Sequence, residues 1–347
     1  MKRTAATLQV AFTYIGTVVG AGFATGQEIL QFFTKYGSVA LLTILVSTGL
    51  FIWFGTKVML IAHDIRATSY EDLNKHLFGA KWGERFSLFM LVELFSVAIV
   101  MLAGAGSVFR EQLGQSFLLG ITVTLLLGYV VISGGMKGIM AVNSVVVPMM
   151  LLFTGIVFYQ TMHGAEFLTF GWLHQGDPYP PGRAWIAPML YAAFNLASAQ
   201  AVLVPLGAAV RDRRAIQLGG VLGGVGLGAL LLVGHISLAT YAPDIFQYEI
   251  PMGLVVAGMG TVIHFLYLLL IYAEIFTTFI ANVFGLSLQV EQRLRAKRQT
   301  IVVGALLLCF AISFVGFKAL LSTLYPLFGA LSLAWFAMVV ARGRRSV

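Results

Sequence analysis

Hydrophobic residues fall along this chain in long runs divided by short clusters of charged and turn-forming residues. Ten runs read as helices: residues 8 to 33, 38 to 62, 86 to 109, 115 to 134, 139 to 162, 184 to 209, 216 to 239, 259 to 287, 299 to 317 and 319 to 341. A stretch of about 18 or more apolar residues with few charges is long enough to cross roughly 30 Å of hydrocarbon as a helix. Between the second and third runs, TSYEDLNKHLFG, residues 68 to 79, predicts a polar or amphipathic helix at the membrane surface. The segment from Tyr241 to Gly258 holds two prolines and several polar residues, which predicts an external loop with a short helix.

Composition agrees with that pattern: 59% of the 347 residues are hydrophobic and only 10% are charged, for a mean hydropathy of +0.90. A water-soluble chain could not hide so much apolar surface, so the expected class is an all-α polytopic membrane protein. The single cysteine, Cys309, excludes a disulfide within the chain.

The net charge of +8 raises the question of a nucleic-acid partner, which the positions of the charges answer. With a cytoplasmic N-terminus, 18 of the 22 basic residues face inside and only Lys35, Arg110, Arg183 and Lys318 face outside. The inside set comprises Lys2, Arg3, the 57 to 85 region, Lys137, Arg211 to Arg214, Arg293 to Arg298 and Arg342 to Arg345. The positive-inside rule gives this division for an even number of spans with both termini in the cytoplasm. A plasma-membrane (cell inner membrane) protein with a lipid bilayer around it, and no nucleic-acid partner, is expected. MKR followed by an apolar run has the outline of a signal peptide. Thr13, Tyr14 and Thr17 interrupt that run and hydrophobicity resumes in ILQFF, so no cleavage is expected.

Ten spans divide into two halves of five, about 8–162 and 184–341, within one transporter domain over 1–347. An odd number of spans per half means that homologous halves sit inverted, a plan common among secondary transporters, whose site lies between the halves on interrupted helices. Placing YIGTVVGAGFA over YAAFNLASAQA pairs Tyr14 with Tyr191 and Gly20-Ala21-Gly22 with Ala197-Ser198-Ala199. Breaks in the first and sixth helices are therefore expected.

GTVVGAGFATGQE, residues 16 to 28, supports two readings. Gly16, Gly20, Gly22 and Gly26 make interleaved GxxxG faces for close helix packing. Alternatively they unwind the helix, freeing amides that can hold an anionic group and carbonyls that can hold a cation. Three acids within spans favor a functional reading, because a carboxylate at mid-membrane costs at least about 2.5 to 3.5 kcal/mol and calls for a cavity, partner or ion. They are Glu28, which fits either the site or the outer vestibule, Glu93, and Glu274 near the center of the eighth span. No lysine or arginine lies at comparable depth, so a bound cation or a transported proton is expected at Glu93 and Glu274. Thr277 and Thr278 follow Glu274 by one turn, and Asn195, Ser198 and Gln200 are expected to line a cavity. His235 and His264 are read as packing or interfacial residues, and Asn143 with Pro148 as a kink. No metal site beyond a sodium ion, and no other cofactor, is expected.

AFTYIGTVVGAGFATGQEILQFFTKYG, residues 11 to 37, together with TSYEDLNKHLFG, resembles the YkvI-type family of amino acid permeases along the whole chain. That family is similar to the amino acid-polyamine-organocation superfamily, which implies a LeuT-type five-plus-five inverted repeat. The resemblance implies that the Gly20 to Gly22 break lends the amides of Ala21, Gly22 and Phe23 to a substrate carboxylate. It also implies a cation between the carbonyls of Gly16 and Val19 and the hydroxyls of Thr277 and Thr278. Two departures matter. No tyrosine occupies the middle of the third span, and Glu274 beside the threonines has no counterpart in the usual sodium site, so sodium and proton both stay open. The expected function is a cation-coupled symporter of an amino acid or similar small zwitterion, working by alternating access. A non-transporting sensor or scaffold is the alternative. An intramembrane enzyme is disfavored because no GxSG with a partner histidine, HExxH or aspartate-rich motif is present, and a channel because no filter or ring of charges is visible.

Overall fold

The computed structural model describes residues 3–67, 69–134, 136–163, 181–294 and 297–342. Lys2, Arg295, Arg344 and Arg345 of the inside basic set lie outside the described residues, as do the side chains of Lys137, Arg293 and Arg342 and that of Asn143.

Every hydrophobic run is helical. The first is split into α1 (Arg3–Val18), α2 (Ala21–Ala24) and α3 (Gln27–Phe32). Then come α4 (Val39–Ile65), α5 (Tyr70–Phe78), α6 (Ala80–Gln112), α7 (Phe117–Ser133) and α8 (Met136–His163). The second half holds α9 (Pro181–Ala209), α10 (Arg213–Ala239), α11 (Pro251–Ala257), α12 (Thr261–Leu294), α13 (Arg298–Ser313) and α14 (Phe317–Arg342). Six of these, α4, α6, α9, α10, α12 and α14, are long and apolar enough to cross a membrane, and α7 and α13 are shorter apolar helices. Their outward faces are greasy: Leu126, Val130 and Val262 are 65%, 67% and 73% exposed, which only a lipid solvent would favor across so many helices. The chain is a multi-pass membrane protein.

The surface segment forms as its sequence predicts. Ser69 caps α5 through a reciprocal box, its hydroxyl accepting from the Asp72 amide at 3.2 Å while the Asp72 carboxylate accepts from the Ser69 amide at 3.1 Å. From the far end of the chain, buried Trp335 donates its indole N–H to Asn74 at 3.1 Å, which fixes α5 against α14.

Close approach organizes the center of the fold. On α10, Gly220, Gly224 and Gly228 recur every fourth residue and face Thr56, Ile52 and Thr48 of α4, which descend by fours, so the two helices run antiparallel at backbone contact. A Cβ on Gly224 would stand 2.7 Å from the Ile52 nitrogen and 2.8 Å from its Cα. On the adjoining face Gly219 and Gly223 receive Val10 and Tyr14 of α1. In hydrocarbon the hydrophobic effect does not drive helices together, so such small-residue seams supply the packing. Where α4 widens into a π-turn over Phe51–Gly55, the buried Tyr14 hydroxyl donates to the Phe51 carbonyl at 2.8 Å.

Polar contacts sort to two ends. At one, Arg3 pairs with Asp212 at 2.7 Å, Arg213 with Asp64, and Gln289 with Tyr70. The hydrogen bond from Arg3 holds the Asp212 carboxyl below the usual aspartate range. At the other, Arg110 pairs with Glu249 at 3.3 Å and Lys318 donates to the Phe246 carbonyl. Residues assigned to the same side by the charge pattern thus meet at the same end. The expected external loop is a 3-10 turn, Asp244–Gln247, followed by α11.

One expectation fails. The sixth hydrophobic run is a continuous helix, α9, from Pro181 to Ala209, with no break at Ala197-Ser198-Ala199. The physical reason is residue type: alanine is the strongest helix former, and this segment has no glycine to leave α geometry. Asn195 and Ser198 bond back to the carbonyls of Tyr191 at 3.1 Å and Phe194 at 3.0 Å, which ties them to the helix they sit on.

Candidate functional site

The first hydrophobic segment leaves helical geometry twice. Gly20 is extended (φ −137°, ψ −163°), and Gly26 is left-handed (φ +81°), a conformation costly to any residue with a Cβ. At the first break the amides of Gly20, Ala21, Gly22 and Phe23 make no backbone hydrogen bond among the described residues, and neither do the carbonyls of Gly16, Thr17, Val18 and Val19. Four donors and four acceptors are thereby released in the protein interior, where Val19, Ala21, Gly22 and Phe23 are all buried.

Helix α12 faces this break. A Cβ on Gly20 would lie 3.7 Å from the Thr278 hydroxyl, so the extended residue sits directly against that side chain. The residue before it, Thr277, is buried and spends its hydroxyl on the Glu274 carbonyl at 3.1 Å. Glu274 is only 4% exposed and its Oε1 has no hydrogen-bond partner among the described residues. Two turns earlier, the Tyr267 hydroxyl donates to the Ala24 carbonyl at 3.3 Å. A small cavity of about 10 Å³, room for about one water, opens between Phe23, Ala24, Tyr267 and α8. The structure thus brings Gly20 and the α2 segment, Ala21–Ala24, against the helix that carries Glu274, Thr277 and Thr278, while no contact of Gly16 or Val19 with that helix is seen among the described residues.

A second polar group lies on the other side of the break. Glu93 of α6 is 1% exposed and bonded to the Ser198 hydroxyl of α9. That hydroxyl also reaches the Phe194 carbonyl, and with one proton it cannot donate to both. Seven residues earlier on the same face of α9, the Tyr191 hydroxyl hydrogen-bonds the Glu28 carboxyl. Tyr325 of α14, 2% exposed, has its hydroxyl in the electrostatic field of both Glu28 and Glu93 and stacks its ring on Phe194 with centroids 4.2 Å apart. Each carboxyl keeps a buried oxygen, Glu28 Oε2 and Glu93 Oε2, without a hydrogen-bond partner among the described residues.

Of the two positions open to Glu28, site or vestibule, this geometry gives the interior one. Glu28 is 5% exposed, and its carboxyl folds back onto Gly22, occupying the space where any Cβ at that position would stand. Gln27 is buried as well. Gln200 is not part of the group around Ser198: its amide contacts the Met90 sulfur at 3.5 Å, as expected for a residue about 200° around the helix from Ser198. Asn195 directs its amide to its own helix.

Tyr191 and Tyr325 were not singled out as site residues in the sequence. Tyr191 carried a signal, since it lies seven residues from Ser198 and hence on the same helix face. Tyr325 carried none beyond the adjacent Pro326. His235 is fully buried with its Nδ1 3.1 Å from the Thr34 hydroxyl, in keeping with a packing role. Among the described residues no three His, Cys, Asp or Glu side chains converge as a metal site.

Comparison with known proteins places this geometry in context. The chain is 41% identical over 341 residues to "Uncharacterized membrane protein YkvI" of Bacillus subtilis (strain 168), covering 96% of this chain and 95% of that one. "Uncharacterized protein YyaD" of the same organism is 28% identical over 322 residues, covering 92% of this chain and 91% of its own. No protein-family model matches. Among solved structures, Mhp1 in an inward-facing conformation superposes with a TM-score of 0.60 at 14% identity, over 96% of this chain and 74% of Mhp1. Mhp1 in a closed conformation with bromovinylhydantoin bound, described as a nucleobase-cation-symport-1 family transporter, gives 0.62 at 14% identity, over 96% and 77%.

Proposed function

The chain belongs to the YkvI family of membrane proteins and has the LeuT-type fold of Mhp1, and from this we propose that it is a secondary active transporter. Its ten helical segments cross the membrane as two inverted sets of five, with both termini in the cytoplasm of a plasma-membrane protein. The solute is an amino acid or a similar small zwitterion, moved with a coupling cation by alternating access around the break in the first segment.

The observation that carries this reading is the break itself. The amides and carbonyls freed over Gly16 to Phe23 lie in a largely buried stretch whose Gly20 sits against Thr278 of α12, the helix that also holds Glu274. Unsatisfied backbone groups in a membrane protein's interior call for a ligand, and these two sets differ in what they take: the amides an anionic group, the carbonyls and the Thr278 hydroxyl a cation. Sodium at Gly16, Val19, Thr277 and Thr278, or a proton on Glu274 or Glu93, would serve as coupling ion. The cavity beside Phe23 and Tyr267 holds about one water, which suits an occluded state.

Flux into proteoliposomes tests the proposal. Saturable uptake of an amino acid driven by a sodium or pH gradient is expected; no gradient-driven flux of any amino acid would sink it.

A further inference from the structure

Glu28, Tyr191, Ser198 and Tyr325 have no part in the break-and-α12 site, yet with Glu93 they form a buried polar cluster. We infer that it is a binding site for an ammonium group of the transported solute, an inference that rests on the transporter reading above. Four elements converge there: α3 supplies Glu28, α6 Glu93, α9 Tyr191 and Ser198, and α14 Tyr325.

Three features of the site point to a cation of this kind. First, both carboxyls are more than nine-tenths buried, and each leaves an oxygen without a partner. An unpaired carboxyl oxygen in the interior is an expensive group to retain unless something occupies it. Second, none of the ion pairs among the described residues involves either acid, so the protein itself brings no lysine or arginine to them. Third, the hydroxyls of Tyr191, Ser198 and Tyr325 have one proton each and rotate, so they can complete the shell of an acceptor or of a donor. An alkylammonium offers three N–H donors and one positive charge, which answers an unpartnered carboxyl oxygen and the hydroxyl oxygens beside it.

Position adds a constraint on the rest of the solute. Because the Glu28 carboxyl rests on Gly22, it stands beside the freed amides of Ala21, Gly22 and Phe23. An anionic group at those amides would face Glu28 at close range unless a positive charge lay between them. A solute with a carboxylate therefore has to carry its ammonium toward Glu28 and Glu93, and a purely anionic solute is excluded. A diamine, with no carboxylate at all, meets the site's charge fully.

The test uses the purified full-length protein in detergent and calorimetric or thermal-shift binding of leucine, N-acetyl-leucine, lysine, 1,4-diaminobutane and succinate. Lysine and 1,4-diaminobutane are expected to bind, leucine more weakly, and N-acetyl-leucine and succinate not at all. Glu28→Gln and Glu93→Gln should each weaken 1,4-diaminobutane by about tenfold or more, whereas Glu71→Gln on the exposed face of α5 should leave it unchanged. Failure of 1,4-diaminobutane to bind, equal binding of N-acetyl-leucine or succinate, or unchanged affinity in both Gln variants would overturn the inference. If a Gln variant does not fold, the wild-type panel decides, because the amine-capped and anionic probes need no mutation. Amine binding in detergent with no flux in vesicles would refute the transporter reading and leave the site standing. Flux confined to solutes without an ammonium group would do the reverse.

Discussion

Alanine at Gly224 should destabilize the protein, although alanine is the better helix former. At this position α10 touches α4 backbone to backbone, and an added Cβ would stand 2.6 Å from Ile52 Cγ1, 2.7 Å from its nitrogen and 2.8 Å from its Cα. Non-bonded carbon atoms sit at about 3.5 to 4.0 Å, so the two helices would have to part by about 1 Å. The side chain cannot absorb this, because two of the three atoms are main chain. Overpacking of this kind costs about 1 to 3 kcal/mol, against a helix-propensity gain of about 1 kcal/mol, which leaves a net loss of up to about 2 kcal/mol. Gly304 on α13 is the internal control, since a Cβ there meets nothing within 4 Å. Gly304→Ala should gain about 0.5 to 1 kcal/mol from propensity alone. Melting followed by intrinsic fluorescence in one detergent should show Gly224→Ala below wild type and Gly304→Ala above it. If Gly224→Ala melts as high as Gly304→Ala, the helices are not in backbone contact and the packing argument is wrong.

Three further outcomes follow from particular contacts. Gly26→Ala places a Cβ on a residue with φ +81° and within 3.3 Å of Leu238, and should cost about 1 to 2 kcal/mol from the backbone alone, read as a lower melting temperature. The carboxylate of Glu111 accepts from the amides of Glu249 and Ile250 at 3.0 Å. Glu111→Gln should loosen this loop, raising amide hydrogen exchange over 244–257 while exchange in α10 stays unchanged. The hydrogen bond from Arg3 lowers the Asp212 carboxyl below its ordinary value of 3.8, so the native state holds that proton less tightly than the unfolded chain. The stability it contributes is whole above about pH 4 and is lost as pH falls through the lowered value. A melting profile from neutral to acid pH should therefore be flatter on its acid side in Asp212→Asn than in wild type.

The helices were legible in the sequence because a bilayer demands long apolar runs, and charge clusters mark where each run must end. The site was legible only in part. Gly20 and Gly22 pointed to a break as one of two readings, since the same spacing also fits close helix packing. The alanines and serine aligned with them looked equivalent as small residues, but their helix propensity keeps α9 whole. The position of Glu28 stayed open in the sequence for a geometric reason. Counting about 1.5 Å per residue along a straight helix puts it two turns outward from the glycines. The left-handed Gly26 reverses that path and lays the carboxyl on Gly22. Tyr191 and Tyr325 come together with the acids only through the packing of α9 against α14, a contact between distant segments that no local pattern records.

The central claim is that the buried break and the helix carrying Glu274 and Thr278 serve coupled transport. The most direct measurement is uptake of radiolabelled lysine and leucine by proteoliposomes with an imposed sodium or proton gradient, using wild type and Glu274→Gln. Gradient-driven accumulation by wild type, with loss of coupling in Glu274→Gln, is the result this account predicts. No accumulation under either gradient, from protein shown to be folded by its melting transition, would contradict it.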